Sequence, residues 1–434
     1  MSLLVIGGSG LVAPEAKAET LREALGELVK THKRMLAATA EVNKAKEEVE
    51  VAWGDWYPNL EITANIGAEK QQKPSGSDDT DMVPRNVETS ITQKLWDFGS
   101  VNSAIRKSKL TYQQKLVERE GTRQALLFEG LRAYLQVVRF SRQKSFAEGS
   151  AANIKRQADL EDAKVQRGSG FSTDVLQAKT QLAGALARVI QTNGLLQDAL
   201  NRYRAVFNKI PDDIEKMKAP RLPLELLPKS LDDAIAVARR SNVGLAVQRL
   251  LAAIAREEVI KSRADNFLPT VELIGEHTAK KDESGTVGAQ QETSVKVEAK
   301  YEFNLGLTAI NSLRASQQNH ISKTNTMGDT VTQVELSIRN AWDKLQTDKA
   351  NAEHLHNQAD IAAEFLELAR RERQLGNRSL IDVLAGETAL INASSDAAGA
   401  DIDVAIDVFQ LLNIVQGLAP KIIDRADAGY IRSN

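Results

Sequence analysis

The sequence has no cysteine among its 434 residues. This excludes disulfides, zinc–thiolate centres, cysteine nucleophiles and a lipidated N-terminal cysteine together. It suits an oxidising compartment in which the fold does without covalent staples. An excess of one charge is lacking too, since 56 Lys and Arg oppose 58 Asp and Glu for a net charge of −2. So balanced a chain has no basic footprint for nucleic acid. Beyond the N-terminus no segment has 18 consecutive apolar residues, and mean hydropathy is −0.32. A transmembrane helix is excluded there, so a membrane would have to be met by another route. Catalytic motifs are missing as well, with no nucleophile elbow, zinc signature or phosphate loop. His354 and His356 are two apart on a predicted helix and point to different sides, which argues against a metal pair. Asp78, Asp79 and Asp81 read as a solvated loop. The expectation is a protein without cofactor or metal, and not an enzyme.

What is present is an ordinary folded composition, 42% hydrophobic and 26% charged. The start, MSLLVIGGSGLVAPEAKAET, leads through a short apolar stretch to Ala16-Lys17-Ala18. Small residues in that pattern suit a signal peptidase, so 1–18 is expected to be a signal peptide, although the first ten residues hold no Lys or Arg.

The ten prolines are unevenly placed. Pro211, Pro220, Pro223 and Pro228 crowd one stretch, whereas none occurs from Arg85 to Ile210 or from Thr270 to Ala419. Proline breaks helix interiors, so two long stretches are free to be helical. Leu127, Leu131, Tyr134 and Val138 fall at i, i+4, i+7 and i+11, as do Val334, Ile338, Ala341 and Leu345. These are stripes of packed helices, spaced like a coiled-coil seam. An unbroken helix from Gly99 to Arg167 would be roughly 100 Å long.

The chain is also duplicated. Leu21, Ala24 and Leu25 match Leu231, Ala234 and Ile235 at an offset of 210, and WYPNLEI (56–62) matches FLPTVEL (267–273) at 211. Asp97-Phe98-Gly99 matches Asn304-Leu305-Gly306 and the Leu127/Leu131 stripe matches Val334/Ile338, both at 207. Gly168 with STDVLQA matches Gly376 with SLIDVLA at 208. The spacing predicts a first repeat over 19–210, a Pro-rich linker over 211–229, a second repeat over 230–420 and a tail over 421–434. Each repeat reads helix, β-hairpin (about 57–96 and 268–304), long helix, turn (168–171 and 376–379), helix. Strands follow from alternation, with Leu60, Ile62, Ala64 and Ile66 on one face and Val295, Val297, Ala299, Tyr301 and Phe303 in the second copy. The polar stretches 70–84 and 280–291 read as hairpin loops. Strands of roughly 10–12 residues are about long enough to cross a bilayer when tilted.

Trp53, Trp56, Tyr57, Trp96, Phe98, Phe267, Tyr301 and Phe303 all lie where a strand meets a helix. Such clustering suits an aromatic girdle at a membrane interface. Four strands leave open edges, which lipid does not tolerate, and eight is about the smallest closed barrel. Strands in a bilayer therefore require several copies of the chain.

In this arrangement the chain resembles the TolC-type outer-membrane channel family from about residue 20 to 420. The likeness rests on the duplication, Tyr57-Pro58 and Leu268-Pro269 before the strands, LWDFGS and EFNLGL after them, and the G-x-x-x-x-x-D-V-L turns at 168–176 and 376–384. It implies an α+β membrane protein with four transmembrane strands per protomer. A homotrimer would form a 12-stranded barrel in the outer membrane, continued by a long periplasmic α-helical barrel. It also implies a passive exit duct coupled through a periplasmic adaptor (membrane fusion protein) to an inner-membrane ABC or RND-type transporter. Gly168, Gly170, Gly376 and Arg378 would form the adaptor-docking tip, and Asp174 and Asp382 a carboxylate gate. The family's second aspartate, three residues on, is Ala385 here and Gln177 in the first copy, so the acidic gate is thinner. Ser172 or Thr173, and Ser379, would cap the outgoing helices. Type I protein secretion and drug efflux are both open, and the missing lipidated cysteine leans toward the former. A soluble periplasmic coiled-coil scaffold or adaptor is the alternative.

Overall fold

The computed structural model describes residues 21–76, 79–302, 305–418 and 422. The expected signal peptide, Asp78, Phe303 and the tail apart from Ile422 lie outside them. One order of elements occurs twice. The first copy has α1 (Leu21–Thr31), α2 (Lys33–Gly54), strands β1 (Asn59–Ile66), β2 (Glu69–Gln71), β3 (Thr80–Met82) and β4 (Arg85–Trp96), then α3 (Ser100–Gln166) and α4 (Ser172–Phe207). The second has α5 (Leu231–Ser241), α6 (Val243–Phe267), β5 (Thr270–Glu283), β6 (Thr286–Lys300), α7 (Thr308–Gln374) and α8 (Leu380–Gln416). A single 3-10 turn, Leu224–Leu226, interrupts the Pro-rich linker. Freed of proline, α3 and α7 each run for 67 residues.

The opening helix of each copy is broken, a feature with no proline to announce it. At His32 the ring Nδ1 accepts from Arg34 N at 3.1 Å, and at Asn242 the side chain accepts from Leu245 N at 3.1 Å. Each side chain caps the next helix by satisfying an otherwise orphaned N–H.

The chain divides into two compact units. One comprises residues 36–122 and 242–333. Its centre is a four-stranded antiparallel sheet ordered β1-β4-β5-β6. The register sets Leu60 opposite Ile91, Ile91 opposite Gly275 and Gly275 opposite Val295. Directly opposed residues share a face, so Leu60, Ile62, Ile66, Val87, Ile91, Leu273, Val295 and Val297 form one apolar surface. The other face carries Glu61, Glu88, Lys94, Glu276, Glu292 and Lys296. Among the described residues β1 and β6 each have a free edge.

Two hairpin expectations need correction. The stretch 280–291 is not a loop, because β5 and β6 continue to a two-residue turn at Ser284-Gly285. Both residues have positive φ (55° and 73°), the geometry that matches the twist of a tight hairpin. The polar residues there reflect a ribbon that outruns its apolar band. The strand ends at Lys300, so Tyr301 falls outside it. The 70–84 loop contains the β2–β3 ribbon, which leans on the second hairpin: Ser284 N donates to Glu69 Oε2 (3.2 Å) and Lys73 Nζ to the Gly285 carbonyl (3.2 Å).

The other unit comprises, of the described residues, 21–35, 123–241, 334–418 and 422. Its core joins Leu25 and Leu28 of α1, Leu127, Leu131 and Tyr134 of α3, Ile338 and Leu345 of α7, and Val408, Phe409 and Leu412 of α8. Tyr203 and Phe207 of α4 stack at 4.2 Å. Gly130 sits mid-helix because a Cβ there would lie 2.7 Å from Leu28. The linker joins this core through Ala219, while Tyr134 Oη donates to the Lys218 carbonyl at 3.2 Å.

One ionic cluster interrupts the apolar packing. Lys344 Nζ lies 2.7 and 2.8 Å from the two oxygens of Asp407 and 2.6 Å from Asp348. The Asp407 side chain is 3% exposed. Burial pushes its carboxyl up to about 6, a rise that Lys344 opposes and Asp348 assists. The hydrogen bond from Lys344 holds Asp348 below the usual carboxylate range.

Candidate functional site

The turns α3–α4 and α7–α8 share one hydrogen-bond pattern. Gly168 N donates to the Val165 carbonyl (2.9 Å) and Ser169 N to the Lys164 carbonyl (3.0 Å). In the second copy Gly376 N donates to Arg373 and Asn377 N to Glu372, both at 3.0 Å. This is the Schellman closure of a helix, and it requires a left-handed residue. Gly168 (φ 76°) and Gly376 (φ 80°) supply it. Gly170 is needed for space, since a Cβ would lie 3.0 Å from Val165 N.

The outgoing helices start differently. Ser379 is the N-cap of α8, accepting from Asp382 N at 3.3 Å. In the first copy Phe171 holds the cap position, with no side-chain cap. Ser172 and Thr173 therefore do not cap α4, because the helix begins one residue early, at Ser172 itself.

Asp174 and Asp382 sit in the first turns of α4 and α8, where an acid also complements the helix dipole. Neither is a bare carboxylate in the protomer. Asp174 lies 3.6 Å from Arg373 Nη2, and Asp382 lies 3.5 Å from Arg378 Nε. Arg378 also approaches Glu372 (3.6 Å) and lies over the Phe365 ring (5.4 Å). Ala385 and Gln177 are exposed one turn further on.

Just inside the turns are residues that sequence reasoning missed. Glu161 of α3 is 3% exposed, with Arg373 at 3.0 Å and Lys164 at 2.8 Å. Burial alone would raise its carboxyl, but the hydrogen bonds from Lys164 and Arg373 overcome this and hold it below its ordinary value. Arg373 thus ties α7 to both α3 and α4, and its Nη1 also donates to the Arg378 carbonyl at 3.2 Å. Beside it Arg370 pairs with the buried Glu387 of α8, which Asn153 of α3 also reaches at 3.3 Å. The available signal was weak. Cations in a last helical turn are common wherever a dipole is to be complemented, and the partner of Arg373 is 212 residues away.

Comparison with known proteins fits this architecture. Residues 24–209 match the family described as Outer membrane efflux protein. The chain is 25% identical to the outer membrane efflux protein BepC of Brucella suis over 94% of its own length and 88% of BepC. It is 20% identical to the outer membrane protein TolC of Vibrio cholerae over 99% and 98%. The crystal structure of the outer membrane protein VceC from Vibrio cholerae superposes with a TM-score of 0.77 at 16% identity, covering 92% of this chain and 96% of VceC. Over nearly its whole length the chain is similar to outer-membrane channels of the TolC type. This TolC-type channel is therefore an outer-membrane protein with a periplasmic helical extension, rather than a soluble scaffold. Its sheet is the membrane part, and the apolar face is the one that meets lipid.

The junction aromatics of the TolC-type channel are placed unequally. Tyr57, Trp96 and Tyr301 are exposed, at 70%, 59% and 53%. Trp96 packs edge-on against Phe98 at 6.1 Å, and Lys109 lies over Trp53 at 5.2 Å. Trp56 instead turns onto Ala52, Val101 and Ile105, and its Nε1 donates to Asn102 Oδ1 at 3.3 Å. Phe267 is half-buried at the end of α6. Among the described residues no helix is long and apolar enough to cross a membrane and no His/Cys/Asp/Glu group could hold a metal.

Proposed function

We propose that three copies of this chain form a passive export duct and that no chemistry is performed on the cargo. The observation that carries this is the sheet: one apolar face, one charged face and two free edges in each protomer. Lipid forbids free edges, and joining β6 of one copy to β1 of the next closes a ring of twelve strands. The charged face then lines the lumen. The duct takes substrate from an inner-membrane transporter of the ABC or RND type through a periplasmic adaptor. Efflux is the favoured route, in keeping with the name of BepC.

The turns around Gly168, Gly170, Gly376 and Arg378 serve as the docking tip. Asp174 and Asp382 serve as its acidic gate, weakened at rest by their arginine partners. Arg373 is the clasp: while it bridges Glu161 and Asp174, α7 is held against α3 and α4, and docking of the adaptor opens the tip by shifting α7 and α8. Trp53, Tyr57, Trp96, Phe98, Phe267 and Tyr301 mark the inner membrane interface, with Trp56 as its anchor to α3. Planar-bilayer recording on the purified oligomer tests the reading. Small resting conductance that rises in Arg373→Ala, with weaker cation preference in Asp174→Ala plus Asp382→Ala, is expected. A chain released by carbonate extraction, or one without heat-modifiable oligomers, would sink it.

A further inference from the structure

Arg85 and Lys281 are direct cross-strand partners on β4 and β5. By register they share the face of Ile91, Leu273 and Val295, the face that meets lipid. Both side chains are exposed, and among the described residues neither has an ion-pair or hydrogen-bond partner. Two cations set directly opposite each other across strands repel and destabilise the pair. Two other lysines of the sheet have acidic partners: Lys280 lies 3.6 Å from Glu283, and Lys296 3.5 Å from Glu276. An opposed, unneutralised pair is therefore a local anomaly that an anion would relieve.

Its height in the membrane points to which anion. The lower limit of the apolar band is the row of Trp96, Val271 and Ala299, next to the exposed Tyr301. Ten residues of β5 separate Val271 from Lys281, about 34 Å along the strand. At the usual barrel tilt this is about 26 Å of height, close to the roughly 25 Å apolar band of outer-membrane barrels. The pair thus lies at the outer interface, on the hairpin-turn side, at the level of lipid headgroups. An arginine fork matches phosphate oxygens in two-point geometry, with a lysine beside it as a point charge.

We propose that Arg85 and Lys281 form a clamp for a phosphate group of an outer-leaflet glycolipid of the lipid A type, whose acyl chains lie along the apolar strand face below. The inference rests on the outer-membrane reading and adds a lipid partner to it. One clamp per protomer gives three around the closed barrel. The opposed charges raise affinity for a phosphorylated headgroup, and the apolar rows beneath discriminate against free phosphate.

The test uses the full-length oligomer in neutral detergent, titrated with diphosphoryl lipid A and followed by native mass spectrometry. Saturable binding that falls with salt is expected, with at least tenfold weaker binding in Arg85→Gln plus Lys281→Gln. Lys280→Gln is the control, one residue away on the lumen face, and should bind like the parent. Lipid A stripped of phosphate should bind both forms weakly and equally. Undiminished binding by the double variant overturns the clamp, as does equal binding of stripped lipid. An equal loss in Lys280→Gln reduces the effect to net charge and overturns it too. Competition by inorganic phosphate at the lipid's own concentration would assign the site to a free anion instead. Heat-modifiable migration of each variant confirms assembly, so failure of the duct reading is visible separately.

Discussion

Where the second copy sets Lys344 against Asp407, the first copy carries Val137 and Ala199 at the matching offsets of 207 and 208. Both replacements are buried, at 0% and 2% exposure. One copy closes its long helix onto the next with plain apolar contact, and the other does so with a buried acid, Asp407, whose half-exposed lysine is shared with a second acid. Burying an ion pair is rarely more stabilising than a well-packed apolar one, so the second choice is not explained by stability. It gives the α7–α8 pair a contact that responds to protons, which Val137 and Ala199 do not. The turns repeat the contrast. Asp382 is held by Arg378 four residues away in its own copy, whereas Asp174 depends on Arg373 from the other. In both places the shared cation, Lys344 or Arg373, sits on α7.

The comparison breaks most readily at Arg373. Its replacement by Ala strips buried Glu161 of one of its two cations and Asp174 of its partner. A loss of about 3 kcal/mol of stability is expected, measured as a fall in the heat-dissociation midpoint; a loss no greater than in Arg378→Ala would equalise the two turns. Next comes the pH response. Asp407 has a folded value of about 6 against an ordinary 3.8. Between the two the folded chain holds a proton that the unfolded chain lacks, so this group's contribution grows as pH falls from about 6 toward 4, and its penalty is complete above 6. Lowering pH from 6 to 5 should add about 1 kcal/mol in the parent. Lys344→Val plus Asp407→Ala, which imitates the first copy, should be no less stable at pH 7 and should lack that increment. A surviving increment would remove Asp407 as the source of the pH response.

A comparable effect tests the caps. Ser379→Ala should cost about 1 kcal/mol, while Ser172→Ala should change stability negligibly, because Phe171 holds the cap position of α4. Equal costs would show that the two helices begin alike. Arg378→Ala is the mildest change. Its ion pair is half-exposed, so about 0.5 kcal/mol is expected, with the larger signature in channel selectivity.

Much of this architecture was legible because its signals are local. Proline-free stretches and apolar stripes marked α3 and α7, and alternation marked β1, β4, β5 and β6. The helix breaks at His32 and Asn242 were hidden, because a capping imidazole or amide looks like any polar residue inside a helix. The β5–β6 turn was obscured for a related reason. Beyond the lipid level both strand faces become polar, and a polar strand reads as a loop. Of the tip, the glycines and first-turn aspartates were visible in the repeated motif. Arg373 and Glu161 were not, because their relation exists only after α7 has been laid against α3.

A protomer whose sheet has two unfinished sides cannot tolerate lipid alone, and each side is completed by a neighbour. One faulty seam therefore spoils the work of all three contributors. If a chain with a proline in the middle of β6 were produced in equal amount beside the normal one and mixed at random, only about one ring in eight would be free of it. Such an allele would act dominantly, which is how a gene for a closed ring differs from a gene for a self-sufficient wall.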